Sequence, residues 1–324
     1  MMILLMDMIR TIYKKAQQNP AKIIFPESDD KRICKAVEII AAKGLAHPIL
    51  LDSFPSIIKI PKSLQNKITI IGTDLSTRKK CCDLLVRLRK HKGMSKEQAS
   101  KLCQDRLWLS MLLLQQQRAD ALIASAQYTT AQTMRAALKI IGSREKVTSC
   151  FLMLVKKKPY LFADPSVVID PTAEELARIA IMVGNFAKKL GMHPKIAMLS
   201  FSTHNSAQHL FVDKIVQATK LVKKYDSSFV VDGEIQVDAA IVPSVAQIKC
   251  PDSPLKGCAN VLIFPDINAG NIGYKLVERL GNAQAIGPII LGLNRQVNVL
   301  SRGCSVKDIV DLAAISSVQI GMWS

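Results

Sequence analysis

At 324 residues the chain is long enough for two domains, and a hydrophobic content of 49% with a mean hydropathy of +0.18 excludes a disordered chain. The 44 basic and 26 acidic residues leave a formal charge of +18, which favours acidic partners. The basic residues are scattered, however, and aromatics make up only 5%, so stacking platforms for single-stranded nucleic acid are thin.

The opening stretch, residues 1–6, is apolar but short and is interrupted by Asp7. No basic region precedes it and no small-residue cleavage site follows, so it reads as the start of a docked helix through Ile9, Ile12 and Tyr13. Short apolar runs then alternate with longer helical patterns. Strands are predicted at 22–26, 47–51, 67–71, 119–124, 149–155, 195–199, 229–231, 261–264 and 285–290. Helices are predicted near 30–43, 75–91, 96–116, 129–141, 172–190, 206–224, 270–280 and 306–318. Most strand runs do not alternate, as expected of strands buried on both faces, and the βαβ rhythm predicts parallel sheets covered by helices. Thr172 and Glu175 have the spacing of a capping box, and Ser305 and Asp308 repeat it. The stretch 156–171 reads as the crossing between two α/β domains.

No apolar run reaches the roughly 20 residues that span a bilayer. The eight cysteines form no CxxC pair, and with five dispersed histidines they show no zinc spacing, so reduced thiols in a cytoplasmic protein are expected. Gly-x-Gly-x-x-Gly and the P-loop are absent, which weakens nicotinamide and nucleoside triphosphate readings.

Open α/β sheets bind ligands in the loops after their strands. Four such loops are rich in polar groups. Ser200–Ser206, with Ser202, Thr203 and Ser206, offers hydroxyls and backbone N–H groups at a helix start; so do Tyr128 to Arg135, with Thr130 and Arg135. Asn268 and Asn271 flank Gly270 after a third strand, and Ser301, Arg302 and Asp308 gather at the start of the last helix. Each also has a plain structural reading: N-capping, a turn, a surface arginine, or Arg302 paired to Asp308.

Together these segments resemble the phosphate acetyltransferase (phosphotransacetylase) family, within the phosphate acetyl/butyryl transferases. The resemblance runs through KIIFPESDDKR (22–32), RKHKGMSKEQA (89–99), TTAQTMRAALKI (129–140), LFADPSVVIDPTAEELARIAI (161–181) and IAMLSFST (196–203). It continues through VDGEIQVDAAIVPSVA (231–246), GCANVLIFPDINAGNIGYKLVERL (257–280), AIGPIILGL (285–293) and LSRGCSVKDIVDLAAISSVQ (300–319). It implies two doubly wound α/β domains with mainly parallel sheets and an interdomain cleft, as in the isocitrate and isopropylmalate dehydrogenases. The first domain would comprise 1–148 plus 296–324 and the second 149–295.

The resemblance also implies a homodimer, no metal, no tightly bound cofactor, and coenzyme A, acetyl phosphate and inorganic phosphate as partners. The catalytic residues it implies are Ser301, Arg302 and Asp308; Arg89 and Arg135 would bind coenzyme A and phosphate, and Thr130, Ser202, Thr203, Ser206 and Asn271 the substrate. In this scheme Asp308 takes the proton of the attacking thiol, Ser301 orients the thiol, and Arg302 with Arg135 holds the phosphate as it leaves. Asn205 stands where the family has glycine, and Val299 where it has an acid beside the serine–arginine pair. The alternatives are another short acyl chain such as butyryl, a metal-dependent dehydrogenase of the wider class, and a basic nucleic-acid-binding or inactive scaffold protein.

Overall fold

The computed structural model describes residues 4–52, 60–156 and 158–320. Residues 1–3 of the opening stretch, and Lys157, lie outside the described residues. In chain order the first part contains α1 (Leu4–Gln18), β1 (Lys22–Phe25), α2 (Lys31–Lys43), β2 (His47–Asp52), β3 (Thr69–Gly72), α3 (Leu75–Arg89), α4 (Lys96–Leu102), α5 (Arg106–Gln115), β4 (Ala121–Ala124) and α6 (Thr130–Ile140). A second series follows: β5 (Ser143–Val155), β6 (Lys158–Ala163), α7 (Ala173–Leu190), β7 (Lys195–Leu199), α8 (Leu210–Tyr225), β8 (Val230–Ile235), α9 (Val237–Ile241), α10 (Pro243–Lys249), β9 (Val261–Ile263), α11 (Ile267–Leu280) and β10 (Gln284–Leu293). The chain then forms β11 (Gln296–Val299) and α12 (Val306–Ile320).

Two compact units result. One comprises Ile9–Glu145 and the chain from Leu293 onward; the other comprises Lys146–Gly292 and the start of α1 up to Met8. The breaks at 145/146 and 292/293 stand three residues before the 148/149 and 295/296 read from sequence.

In the first unit the strands run in the order β11-β4-β1-β2-β3, every registered pair parallel. β1 is KIIF and β4 is ALIA, with no polar position on either face beyond Lys22, so both strands suit the middle of a sheet covered on two sides. β11 was not predicted. Its four residues, QVNV, are short and half polar, yet Asn298 is fully buried because its amide donates to Ser316 Oγ and Gln319 Oε1, both at 2.8 Å. Those partners lie on α12, whose residues 309–319 are all buried and which packs on α2, β11, β4 and β1. Helix ends follow local chemistry: Asp30 caps α2, whose C-cap Gly44 is left-handed (φ 64°), and Thr129 and Gln132 close a capping box on α6.

The predicted helix at 96–116 is two helices. The first ends at Leu102 with Cys103 as its C-cap, and Asp105 caps the second by accepting from Leu107 N (2.8 Å) and Trp108 N (3.4 Å).

The second unit carries the sheet β10-β5-β6-β9-β7-β8, parallel from β6 through β8. The stretch 156–171 is not a crossing between domains. It contains β6, which pairs antiparallel with β5 from Val155↔Lys158 to Cys150↔Ala163. Lys158, one of the lysines that suggested a break, opens β6 and is exposed, whereas Leu161, Phe162 and Ala163 are buried. Phe151, Met153, Phe162, Leu199, Ile235, Leu255 and Leu262 form the core, with Phe151 stacked on Tyr274 at 4.2 Å. The capping box at Thr172 and Glu175 opens α7, and Gly191 (φ 88°) ends it. Among the described residues no helix is long and apolar enough to cross a membrane.

Candidate active site

Parallel pairing sets the geometry at the carboxyl edge of the first sheet. β11 and β4 run in register from Gln296↔Ala121 to Val299↔Ala124, and Leu300 N donates to Ala124 O at 2.7 Å. The chain after β11 therefore leaves the sheet beside the chain after β4. The first is the turn Ser301–Cys304, closed by Cys304 N donating to Ser301 O (3.0 Å). The second leads through Ser125–Tyr128 into α6.

Arg32, at the start of α2 after β1, ties the two together. Its Nη2 donates to Ala126 O (2.9 Å), and its Nη1 to Arg302 O (2.7 Å) and Cys304 O (3.2 Å). Asp30 holds it through Nε to Oδ1 (3.1 Å) and Nη2 to Oδ2 (2.7 Å). This pairing lowers the Asp30 carboxyl below its ordinary range and raises the Arg32 guanidinium. The same loop after β1 supplies Glu27, which is fully buried and accepts three backbone N–H groups from residues 126–128. Asp29 pairs with Arg106 at 2.9 Å and its carboxyl is lowered by that bond.

Ser301 and Arg302 are exposed, and Arg302 makes no ion pair among the described residues, so the expected alternative pairing with Asp308 does not form. Asp308 is half-buried at the third position of α12, and its Oδ2 accepts Ser305 N and Ser305 Oγ, both at 2.8 Å. Ser305 Oγ in turn accepts Asp308 N at 3.2 Å, which completes the capping box. Both acceptor bonds fall on one oxygen. Thr130 occupies the first turn of α6 and Arg135 the second; Arg135 is exposed with no side-chain bond among the described residues. Arg89 ends α3, half-buried, with its Nε buried and unpartnered. Burial pushes the Cys304 thiol, behind the turn, up to about 11.

The first unit thus places Ser301 and Arg302 in one turn, with Asp308 on the helix that follows it, and sets that turn beside the loop that leads into α6, the helix of Thr130 and Arg135. Ser202, Thr203, Ser206 and Asn271 belong to the second unit. Ser202 is fully buried: its hydroxyl donates to Glu234 Oε1 (3.2 Å), accepts Ala207 N (3.1 Å) and lies 3.3 Å from Ser206 Oγ. Thr203 N donates to Ser206 Oγ (3.0 Å), and Thr203 Oγ1 accepts Gln236 N (3.0 Å). These hydroxyls are engaged in shaping their own loop. Asn205 takes the left-handed backbone (φ 66°) that lets it replace glycine, and its N donates to Glu234 Oε1 at 2.6 Å. His204 is left-handed too (φ 45°) and its ring lies 3.0 Å from Asp232. Asn271 donates to Pro165 O at 3.0 Å, close to Gly270, where an added Cβ would meet Asp164 O at 2.9 Å.

The residues that sequence reasoning missed are Glu27 and Arg32. Both stand inside KIIFPESDDKR, but a buried Glu and an Arg bonded to carbonyls look, as letters, like any surface pair. Among the described residues no group of three His, Cys, Asp or Glu is placed to hold a metal ion.

Residues 7–317 match the family model described as Phosphate acetyl/butaryl transferase. The chain belongs to this family. Among its relatives is the phosphate acetyltransferase of Thermoanaerobacterium thermosaccharolyticum, 43% identical over 97% of this chain and 99% of that protein. The phosphate acetyltransferase of Bacillus subtilis is 41% identical over 97% and 99%. Among solved structures, a phosphotransacetylase from Streptococcus pyogenes superposes with a TM-score of 0.89 at 38% identity, covering 98% of each chain. The solved phosphotransacetylases share the mixed α/β architecture with parallel sheets, and the family match with relatives named phosphate acetyltransferase disfavours the dehydrogenase and nucleic-acid-binding readings.

Proposed function

We propose that this protein is a phosphate acetyltransferase, which passes an acetyl group reversibly between inorganic phosphate and the thiol of coenzyme A. The observation that carries the reading is the joining of two strand-end loops by Arg32, which sets the turn of Arg302 beside the start of the helix bearing Arg135. Two exposed guanidiniums with no carboxylate partner among the described residues suit a phosphate dianion, which they would bind through charge-assisted hydrogen bonds.

In the reaction the coenzyme A sulfur attacks the acetyl carbonyl carbon, a carbon–sulfur bond forms, and the carbon–oxygen bond to phosphate breaks. Asp308 receives the thiol proton at Oδ1, the oxygen not used by the helix cap. Ser301 orients the sulfur. Arg302 and Arg135, with Thr130, hold the phosphate and stabilise the charge it gains on leaving. The thiol comes from the substrate, because Cys304, the cysteine in this turn, is buried and kept protonated. Arg89 serves a coenzyme A phosphate, in keeping with its orphaned buried Nε. Ser202, Thr203, Ser206 and Asn271 are proposed as substrate-binding residues of the second unit.

The names of the relatives favour acetyl over butyryl. Coenzyme A acts as co-substrate, with no cofactor held between turnovers, and the protein works in the cytoplasm as a homodimer. Self-association is supported by Ile272, Leu276 and Leu280, spaced by four on one face of α11 and exposed by 57, 52 and 80%. The test is thioester formation from coenzyme A and acetyl, propionyl or butyryl phosphate, followed in the ultraviolet. Acetyl phosphate is expected to be turned over fastest. No thioester from any of the three at high enzyme concentration would discard the reading.

A further inference from the structure

Glu27 is a carboxylate with 0% exposure that pairs with no basic side chain among the described residues. Its partners are main-chain donors: Oε2 accepts Ala126 N (3.0 Å), and Oε1 accepts Gln127 N (2.6 Å) and Tyr128 N (2.9 Å). Three successive N–H groups that converge ahead of a helix make a ready anion site. The turn is built for this convergence, since Ser125 just before it adopts a φ of 80°, a region rarely used by residues with a side chain. The protein's own carboxylate fills the ring.

We propose that Glu27 is a positioning residue for the acyl transfer, an internal anion that fixes the mouth of α6 and, through Arg32, the Ser301–Arg302 turn. The Ala126 residue is gripped twice, its N–H by Glu27 and its carbonyl by Arg32, and Arg32 reaches on to the carbonyls of Arg302 and Cys304. From Tyr128 the chain passes directly into the Thr129–Gln132 capping box, so the ring sets where Thr130 and Arg135 begin. The ring also has a chemical consequence: because Glu27 occupies its N–H groups, a substrate phosphate is left to the guanidiniums and hydroxyls. This inference rests on the reaction proposed above.

The test uses Glu27→Ala and Glu27→Gln with formate as the probe. Glu27→Ala opens the ring, and turnover is expected to fall on the order of 10²-fold, the cost of small misplacement at a reacting centre. Added formate should restore part of that turnover saturably and should raise the melting temperature of Glu27→Ala, with neither effect on wild type. Glu27→Gln keeps the side-chain volume but turns an NH2 group toward one donor; its kcat should fall with the KM for coenzyme A unchanged.

Wild-type turnover in either variant would overturn the inference, as would a slowed Glu27→Ala that formate neither stabilises nor reactivates. If Glu27→Ala does not fold, Glu27→Gln decides alone. A wild type that makes no thioester would defeat the reaction, whereas the formate-dependent melting shift still tests the ring.

Discussion

Replacing Asp308 by asparagine separates its two roles. The carboxylate caps α12 through bonds from Ser305 N and Ser305 Oγ, both to Oδ2, and an asparagine oxygen can accept the same two. What the helix loses is the interaction of a negative charge with its N-terminus, about 0.3–1 kcal/mol. For a unit of this size that corresponds to a fall in melting temperature of roughly 2–4 °C at most. The proton acceptor is lost entirely, and loss of a general base lowers turnover by about 10²–10⁴-fold. Thioester formation at saturating substrates, beside a thermal melt of the same sample, reads both quantities. A variant that melts normally and turns over within a few-fold of wild type would remove Asp308 from the chemistry and leave it a helix cap. The opposite failure, a large loss of stability, would show that the cap needs the charge.

Arg89→Ala should raise the KM for coenzyme A by about 10–100-fold, the worth of one or two charge-assisted bonds, with the KM for acetyl phosphate little changed; equal effects on both would reject the assignment. Arg32→Met removes the bonds that hold the Asp30 carboxyl low. A carboxyl lowered in the fold stabilises above its unfolded value of about 3.9 and loses that contribution as pH falls through the folded value. The stability gap between wild type and Arg32→Met in urea melts should therefore be widest near neutrality and close in acid; a gap independent of pH would refute this. Leu276→Glu should convert a dimer to a monomer in sedimentation while leaving the fold intact, and a wild type that already sediments as a monomer would end that proposal.

The fold was legible wherever one element obeyed one rule. KIAML, with no polar residue inside it, is a strand over the predicted residues 195–199, and Thr172 with Glu175 capped the helix that follows them. Failure came where tertiary partners overrule composition. QVNV becomes a strand because α12 supplies the partners of Asn298, information that lies about twenty residues downstream. KPYLFA reads as a linker because its start is basic, although pairing with β5 buries its end. The prediction of one helix at 96–116 overlooked that an aspartate between two helical patterns can cap the second. At the site, the hydroxyls and arginines were visible as letters. Glu27 and Arg32 were not, because their roles consist of bonds to backbone atoms of residues about a hundred or more positions away, which no local spacing encodes.

The placement of β11 and α12 fixes an order of assembly on the ribosome. Lys146–Gly292 is nearly contiguous and has its sheet complete once that stretch has emerged. The sheet begun by β1 lacks an edge strand and its most buried helix until everything from Leu293 onward has followed. The part of the chain translated first is therefore the last to close, and a nascent chain stalled near residue 292 would expose the apolar faces of β1 and β4 to chaperones while its later half is already folded.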